Sequence, residues 1–533
     1  MSSSLVIRGG TVYDGTGSPG RRADVLIDDD RIAVVGTVSE HLDAAVLDAA
    51  GHAVTPGFIN VLSHAWPALQ RDPSAASELF QGVTTEVFGE GFSPGPGGPA
   101  LAELLAGYAP EGVTTDYPRL ADGLAALARD GLAVNVASFV GATNLRLIAA
   151  GFDDRRLDAA ELDRLRGLLT EELQDGALGL GTAMIYPPGT FADTAELVAI
   201  SEVVGRHDGL YISHLRSEGD RFLEALEELI EIGRRAEVRA EVFHLKAAGR
   251  ANWPKMARAI ERIERARAAG QQVSANMYPY EAGATALAAS IPPPFHVGGP
   301  QALADRLADP AARRDMVHAV THPSEQWENL FLAAGGGEGV LFLGDLADGL
   351  HTQGRRLSEI AAELGRDEAD ALLEIVARDP GAGVAYFIID EANIRLGLAQ
   401  PWVCIGSDAM AHPCAPPWTD TATHPRTYGT FARILGRHCR DEGLFDLAEA
   451  VRRMTSLPAD GLRLVDRGRL VPGAVADIAI FDPATIADHA TYDAPHRYAT
   501  GVRHVVVAGT PVVADGGLTG SLPGRVLRRG VAR

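Results

Sequence analysis

The strongest constraint on the fold is an alternation of short apolar runs with helical stretches through the middle of the chain. Three helical stretches, residues 193–207, 221–236 and 255–270, carry apolar residues at helical spacing opposite a charged face. The apolar runs have strand length, are rich in β-branched residues and number eight: PGFINV, TTEVFGE, LAVNVASFV, ALGLGTAM, LYISH, AEVFHLK, QVSANMY and WVCIGSD. Eight strand–helix units predict an α/β fold built on a closed (β/α)8 barrel of the TIM type, with an open doubly wound sheet as the alternative.

The two ends of the chain differ from this middle part. Both ends contain short alternating strands separated by turns, typical of a small antiparallel sheet, and the last segment includes LPGRVLRRG. We predict a β-sandwich domain formed by both termini, residues 1–57 plus 465–533, around a barrel of residues 58–464. The stretch between the seventh and eighth runs is far longer than one crossover needs, which predicts an inserted subdomain over residues 288–390.

Charge and composition exclude several classes of partner. The formal net charge of −22 repels phosphate backbones and anionic lipids, so we expect neither nucleic acid nor a membrane surface as a partner. The absence of a signal-like start or a long apolar run predicts a cytoplasmic protein. Lysine occurs only at Lys246 and Lys255 among 48 lysines and arginines, which indicates that a retained lysine is needed as a compact ammonium. We expect this of Lys246 rather than of Lys255, which lies among surface-helix residues.

Ionisable residues follow four of the predicted strands: Glu90, His214, His244 and Asp408. Because the carboxyl ends of parallel barrel strands gather around one mouth, we expect these side chains to lie close together. Two imidazoles and a carboxylate form a three-ligand set that holds zinc and leaves a position open for water. Asp408 is then the candidate that carries the proton from this water to a leaving group. A purely structural role for all four is the alternative, and the cost of burying unpaired charge disfavours it.

Ten phrases of the chain resemble, in order, those of the amidohydrolase superfamily and, within it, the N-acyl-D-amino-acid deacylases or D-aminoacylases. They are IRGGTVYDGTG, TPGFIN, QGVTTEVFGEG, ALGLGTAMIYPPG, SHLRSEGD, FHLKAAGRANW, NMYPYEAGAT, IGSDA, HPRTYGTFAR and LVPGAVADIAIFDP. The resemblance implies a barrel joined to a β-sandwich. It also implies hydrolysis of the amide bond of an N-acyl-D-amino acid, or a related small amide carrying a carboxylate, to a carboxylate and a free amine.

The resemblance also assigns roles to residues. The tighter metal of such enzymes is held by residues that match Glu90, His214 and His244. The residues that resemble their substrate-binding groups are Lys246, Arg426, Tyr186 and Tyr280, and a cationic pair suits a substrate carboxylate. In the phrase HLRSEG, we expect Arg216 and Glu218 to pair behind His214.

The first strand departs from the family pattern. The family usually has D-x-H-x-H after PGFI, whereas this chain has Asn60, Leu62 and His64, so only the last histidine remains. The resemblance therefore predicts one tightly bound zinc ion rather than two. His64 stays at the mouth as a candidate contact to substrate or metal. Glu90 stands where the family commonly has a cysteine, and its carboxylate oxygen can also bind zinc.

Two other functions remain open from the sequence. A cyclic-amide hydrolase of the hydantoinase or dihydroorotase type shares the barrel, but usually keeps both first-strand histidines and a carboxylated lysine. A catalytically silent binding protein with the amidohydrolase fold is the second alternative, because Asn60 and Leu62 replace family residues. Zinc in the purified protein would favour an enzyme, and its absence would favour the silent scaffold.

Overall fold

The computed structural model describes residues 4–39, 43–106 and 112–531. The remaining residues, 1–3, 40–42 and 532–533 of the predicted sandwich and 107–111 of the predicted barrel, lie outside this description. Within the described part, eight parallel strands form the barrel. They are β1 (Phe58–Asn60), β2 (Val83–Phe88), β3 (Asn135–Ser138), β4 (Gly179–Ala183), β5 (Leu210–His214), β6 (Arg239–Val242), β7 (Val273–Met277) and β8 (Val403–Ile405).

The barrel closes through two junctions. Strand β3 pairs with β2, and its short continuation Val140–Gly141 pairs with β4 beyond a break at Phe139. Just past β8 and β1, the backbone N–H of Asp408 donates to the carbonyl of Leu62 at 2.8 Å, and that of His64 donates to Ala409 at 2.9 Å. The predicted closed barrel is therefore confirmed, and the open doubly wound sheet is wrong.

Helices cover the barrel between successive strands. The three predicted helices are confirmed as Thr194–Arg206, Phe222–Arg235 and Lys255–Ala268. The first begins where the carboxylate of Asp193 accepts a hydrogen bond from the Glu196 N–H at 2.9 Å, which is a typical N-cap. The other helices outside the insertion are Trp66–Leu69, Ala76–Leu79, Pro99–Leu105, Leu120–Ala128, Ala142–Ala150, Ala159–Gln174, Glu391–Leu398, Arg426–Arg433, Leu447–Met454 and Ser456–Leu462, and the π-helix Ile434–Asp441.

Both ends of the chain contribute to one pair of sheets. The larger sheet contains, in spatial order, Gly517–Leu518, Thr510–Ala514, Val502–Val507, Ile478–Phe481, Ala53–Pro56, Thr11–Val12 and Arg21–Arg22. The smaller sheet contains Arg31–Gly36, Asp24–Asp28, Ser4–Arg8 and Ala45–Asp48. Side chains of both sheets, among them Val25, Ile27 and Val506, share one buried apolar cluster.

Two details of these ends differ from the prediction. The sheets are mixed rather than antiparallel, since Ser4–Arg8 pairs in parallel with Ala45–Asp48. The tail around Pro523–Leu527 runs beside the start of β3 instead of adding a sandwich strand, with the Leu527 N–H donating to the Val136 carbonyl at 2.8 Å. The physical reason is that Leu527 packs into the apolar interior of the barrel. The tail therefore covers part of the barrel.

A small α+β unit interrupts the barrel between β7 and β8. Its antiparallel sheet has the order Ala282–Ala286, Gly383–Phe387, Val340–Phe342, so the sheet begins ahead of the predicted start of the insertion at residue 288. Its helices are Pro300–Ala308, Pro310–Thr321, Leu330–Ala333, Leu357–Leu364 and Glu368–Arg378. The domain boundaries given above remain predictions. Among the described residues, none of the helices combines the length and the apolar character needed to cross a bilayer.

Candidate active site

The three predicted metal ligands meet at the mouth of the barrel. Glu90 follows β2, His214 ends β5 and His244 follows β6. The Oε1 atom of Glu90 lies 3.0 Å from Nδ1 of His214 and 2.8 Å from Nε2 of His244. One ligand atom from each of the three residues lies within 4.8 Å of the other two. All three side chains are buried, so the structure joins them into one site.

The backbone at this mouth is held in an unusual conformation. His244 has a φ of +33° and Asp408 a φ of +53°, in the left-handed region that residues with a side chain rarely adopt. Neighbouring strands stabilise both residues, because the His244 N–H donates to Oδ1 of Asn276 at 2.9 Å and the Asp408 N–H donates to Leu62. Such conformations concentrate at functional sites, where the surrounding structure enforces them.

Asp408, the predicted proton carrier, lies between two cationic partners. Its Oδ2 atom accepts a hydrogen bond from Nη1 of Arg426 at 2.7 Å, and its Oδ1 atom is 3.0 Å from Nε2 of His64. The same His64 nitrogen lies 3.1 Å from Oε2 of Glu90. Burial raises the pKa of Asp408, but the charge of Arg426 and the bond to His64 outweigh it and lower the pKa below its usual range. Asp408 is thus ionised and able to accept a proton.

Glu218 belongs to the site, but its contacts differ from those that we predicted from the sequence. The expected pairing with Arg216 is wrong: Arg216 binds Glu228 at 2.8 Å instead. Glu218 reaches Nδ1 of His244 at 3.0 Å and Nζ of Lys246 at 2.6 Å through its Oε1 atom. Burial raises the pKa of Glu218, but the charges of His214 and Lys246 outweigh it and bring the pKa to about 2. Glu218 therefore orients the far side of the His244 imidazole, as carboxylates behind metal-binding histidines commonly do.

A cavity of about 350 Å³ opens onto these groups. Besides the three predicted metal ligands, the predicted site residues that line it are His64, Tyr186, Lys246 and Asp408. The ring of Tyr186 lies edge-on to His214, with centroids 5.4 Å apart.

Two of the predicted substrate contacts lie behind the cavity wall. Tyr280 is buried under Arg433, whose guanidinium is 4.6 Å from its ring, because the turn after β7 directs Tyr280 toward the helix Arg426–Arg433. Tyr278 lines the cavity instead. The guanidinium carbon of Arg426 lies 4.8 Å from the centroid of the Tyr278 ring, and its Nη1 group donates a hydrogen bond to Asp408. Tyr278, rather than Tyr280, is therefore the tyrosine after β7 that faces the cavity.

The donor set fits a divalent metal. Two imidazole nitrogens and a carboxylate point at one place beside a cavity, which is the three-ligand arrangement of catalytic zinc sites. A second cluster, His64, Glu90 and Asp408, shares Glu90 with the first. Leu62 adds no ligand to it, because its side chain packs into the apolar interior of the barrel. Asp408 in that cluster is already bound to Arg426.

The barrel with its sandwich and mouth has the architecture of the amidohydrolases, and residues 351–513 match the family model described as "Amidohydrolase family". The chain is 35% identical over 533 residues to D-aminoacylase from Alcaligenes xylosoxydans xylosoxydans, covering 99% of this chain and 98% of that protein. The chain therefore belongs to the D-aminoacylase family of amidohydrolases.

Solved structures agree with this assignment. An N-acyl-D-glutamate deacylase from Bordetella bronchiseptica, complexed with zinc and a phosphonate mimic of the tetrahedral intermediate, is similar with a TM-score of 0.82 and 32% identity. That similarity covers 99% of this chain and 100% of the other. A D-aminoacylase with a binuclear metal centre, in which one metal activates and a second attenuates, has a TM-score of 0.81 and 34% identity, with 98% of this chain and 99% of that chain covered.

The cyclic-amide alternative has weaker support. A D-hydantoinase is similar with a TM-score of 0.56 and 17% identity, over 99% of each chain, which shows a shared fold alone.

Proposed function

We propose that this chain is a zinc-dependent N-acyl-D-amino-acid deacylase, which hydrolyses the amide bond of its substrate to a carboxylate and a free D-amino acid. The observation that carries the proposal is the convergence of Glu90, His214 and His244 at the cavity that Lys246 also lines. The similarity to D-aminoacylase over nearly the whole chain supports the reaction and the stereochemistry. A cytoplasmic location belongs to the same proposal.

Glu90, His214 and His244 would hold one tightly bound ion. Zinc is the ion of choice because it prefers imidazole and carboxylate donors in this combination and because a similar structure contains it. When bound, zinc would polarise the substrate carbonyl and make a water molecule more acidic. With Leu62 in the first strand, the chain offers fewer ligands for a second ion, and we propose a single ion in the working enzyme.

Asp408 would move the proton. Its ionised carboxylate accepts a proton from the water that attacks the acyl carbonyl and returns it to the departing amine nitrogen. Arg426 keeps this carboxylate oriented and ionised through the bond to Oδ2, while Oδ1 is the atom next to His64 and Glu90. Arg426 thus acts as a positioning residue in this proposal, and its contact with the substrate carboxylate stays a prediction.

Lys246 and Tyr186 would bind the substrate. Among the described residues, Lys246 is the only lysine or arginine that lines the cavity, and its ammonium suits the substrate carboxylate as a compact point charge. The ring of Tyr186 lies beside His214 and lines the cavity, and its hydroxyl would donate a hydrogen bond to the oxygen that becomes negative when water attacks.

Amine release tests the proposal. N-acetyl-D-methionine and N-acetyl-L-methionine should be offered to the protein before chelation, after chelation and after zinc is restored. We expect release from the D-isomer only, loss with chelator and recovery with zinc. Tightly bound zinc without release from any N-acyl-D-amino acid, or the same rate before and after verified removal of the metal, would contradict the deacylase and favour the silent binding protein.

A further inference from the structure

The charged groups that line the cavity form a single cluster. Lys246 is the only lysine or arginine among its lining residues in the described part of the chain. Its ammonium is bound to Glu218 at 2.6 Å, and the other charged lining groups are the three metal ligands with His64 and Asp408. His296 also lines the cavity, but burial lowers its pKa to about 4, so this imidazole is neutral. His64 is also cationic, but its Nε2 atom is already bound to Asp408 at 3.0 Å. Lys246 has three N–H donors and can therefore pair one carboxylate of a ligand while it keeps its bond to Glu218, and no other cation among the described residues of the wall can pair a second carboxylate.

The rest of the wall, as far as the structure describes it, carries no charged side chain and is largely apolar on both flanks, apart from hydroxyl groups such as that of Thr285. The segments that follow β1 and β2 contribute Trp66, Pro67, Phe92, Leu104 and Leu105. The inserted unit and the segments that lead into and out of it contribute Ala284, Ala286, Ala288, Ala289, Leu330 and Ile388. Of the hydroxyl groups here, that of Tyr386 is already bound to Ser290 at 2.8 Å. Ligand groups that extend away from the charged cluster therefore meet a mostly hydrocarbon wall, with no further charged group of the described residues in either direction.

We infer that the substrate is apolar on both sides of its amide, with an apolar D-amino-acid side chain and an apolar acyl group, and that acidic side chains are rejected. The inference rests on the proposed function and names its substrate class. An acidic side chain would bring a second carboxylate against a largely apolar wall, where His64 is already bound to Asp408 and Lys246 pairs with the first carboxylate. A site that cannot satisfy a buried charge discriminates strongly against it.

A panel of matched substrates tests the inference that the amino-acid side chain must be apolar. The kcat/KM values of N-acetyl-D-methionine, N-acetyl-D-glutamine and N-acetyl-D-glutamate should be compared, because glutamine has the shape of glutamate without its charge. We expect glutamate to fall at least about 100-fold below methionine, with glutamine in between. Glutamate within about tenfold of methionine, or glutamine as poor as glutamate, would overturn the charge argument.

The inference that the acyl group must be apolar needs a second pair of substrates. N-valeryl-D-methionine and N-succinyl-D-methionine have similar acyl lengths, and the valeryl compound should be hydrolysed at least about 100-fold better. Equal rates would overturn this half of the inference. If no compound of either panel releases amine, the proposed deacylase itself fails. An active enzyme with a different order of substrates overturns only the inference.

A variant adds a cation to the wall. Ala289 is half-buried and lines the cavity, so Ala289→Arg introduces a guanidinium there and Ala289→Met introduces similar bulk without charge. We expect Ala289→Arg to raise kcat/KM for N-acetyl-D-glutamate at least about tenfold relative to Ala289→Met. Equal values for the two variants, measured on protein that retains its metal and its unfolding temperature, would contradict the inference.

Discussion

Asp408 is the residue on which the proposed chemistry depends most. Substitution Asp408→Asn keeps the size of the side chain and removes its ability to take up a proton. We expect zinc content to be retained and kcat to fall by about 10²–10⁴-fold, the range typical of a lost general base. Asp315→Asn on the exposed insertion helix is the matched control and should leave kcat unchanged. Near-normal turnover of Asp408→Asn would show that another group carries the proton.

Glu86 and Glu78 form a buried carboxyl pair away from the cavity. Burial raises the pKa of Glu86 to about 8 despite hydrogen bonds from Ser63 and Asn60, and burial together with the charge of Glu86 raises that of Glu78 well above its usual range. Since the unfolded chain titrates near pH 4.3, the folded protein binds an extra proton between about pH 4.3 and 8. Glu86 therefore contributes stability below pH 4.3, and this contribution is lost as the pH rises through 8.

Substitution Glu86→Gln should remove this dependence. Between pH 5 and 9, we expect the wild-type protein to lose about 1–3 kcal/mol more free energy of unfolding than the variant does. Urea unfolding at several pH values measures the difference, with the exposed Glu103→Gln as control. Parallel pH curves for wild type and Glu86→Gln would mean that Glu86 is ionised throughout.

Strand ends made part of the site predictable at this scale. Glu90, His214, His244 and Asp408 were found because a polar residue after a buried strand must lie at the barrel mouth. Two features could not be predicted: that Glu218 pairs with Lys246, and that Tyr278 rather than Tyr280 lines the cavity. Both depend on turn geometry and side-chain directions, which sequence spacing does not specify.

At the scale of elements, Asn60 joins three strands of the barrel. Its Nδ2 group donates to Glu86 of β2 at 3.0 Å and to Ser407 after β8 at 2.8 Å, and its Oδ1 accepts the Ser407 N–H at 2.8 Å. Ser407 directly precedes Asp408. Asn60, where this chain departs from the family pattern, thus forms a hydrogen-bond network that positions Asp408, the proposed proton carrier.

Removal of this network should be costly. We expect Asn60→Ala to lose about 2–4 kcal/mol of stability, because it leaves buried groups of Glu86 and Ser407 without partners, and to lower kcat through Asp408. Ser407→Ala keeps the backbone bond and should lose only about 1 kcal/mol. Thermal unfolding and kcat of the two variants check this. Equal, small losses would mean that Asn60 does not connect the strands energetically.

The elements themselves were largely predictable. Eight strands and three amphipathic helices follow from hydrophobic periodicity, which reflects burial directly. The break at Phe139 and the docking of the tail on β3 were not predictable, because both follow from long-range packing rather than from local pattern.

At the scale of the whole molecule, Asp477 connects the sandwich to the barrel. Its Oδ2 atom accepts from Asn135 of β3 at 3.0 Å and also binds Arg467, while its Oδ1 accepts the Ala508 N–H at 2.8 Å. Both Asp477 and Arg467 are buried. The two units therefore share a polar junction.

Substitution Asp477→Ala leaves the Arg467 guanidinium buried without its carboxylate, which should lower stability by about 3–5 kcal/mol. The exposed pair Asp460 and Arg469 offers a control, and Asp460→Ala should lose at most about 1 kcal/mol. Thermal unfolding of both variants measures this. A separate early transition of the sandwich in Asp477→Ala, with the barrel unchanged, would show that the two units unfold independently.

The zinc content of the purified protein tests the central claim most directly. Elemental analysis should find about one zinc ion per chain in the wild type and in Asp408→Asn, and close to none in Glu90→Gln, His214→Asn and His244→Asn. Full zinc occupancy in the three ligand variants, or a wild-type protein that turns over N-acetyl-D-methionine without metal, would contradict the account.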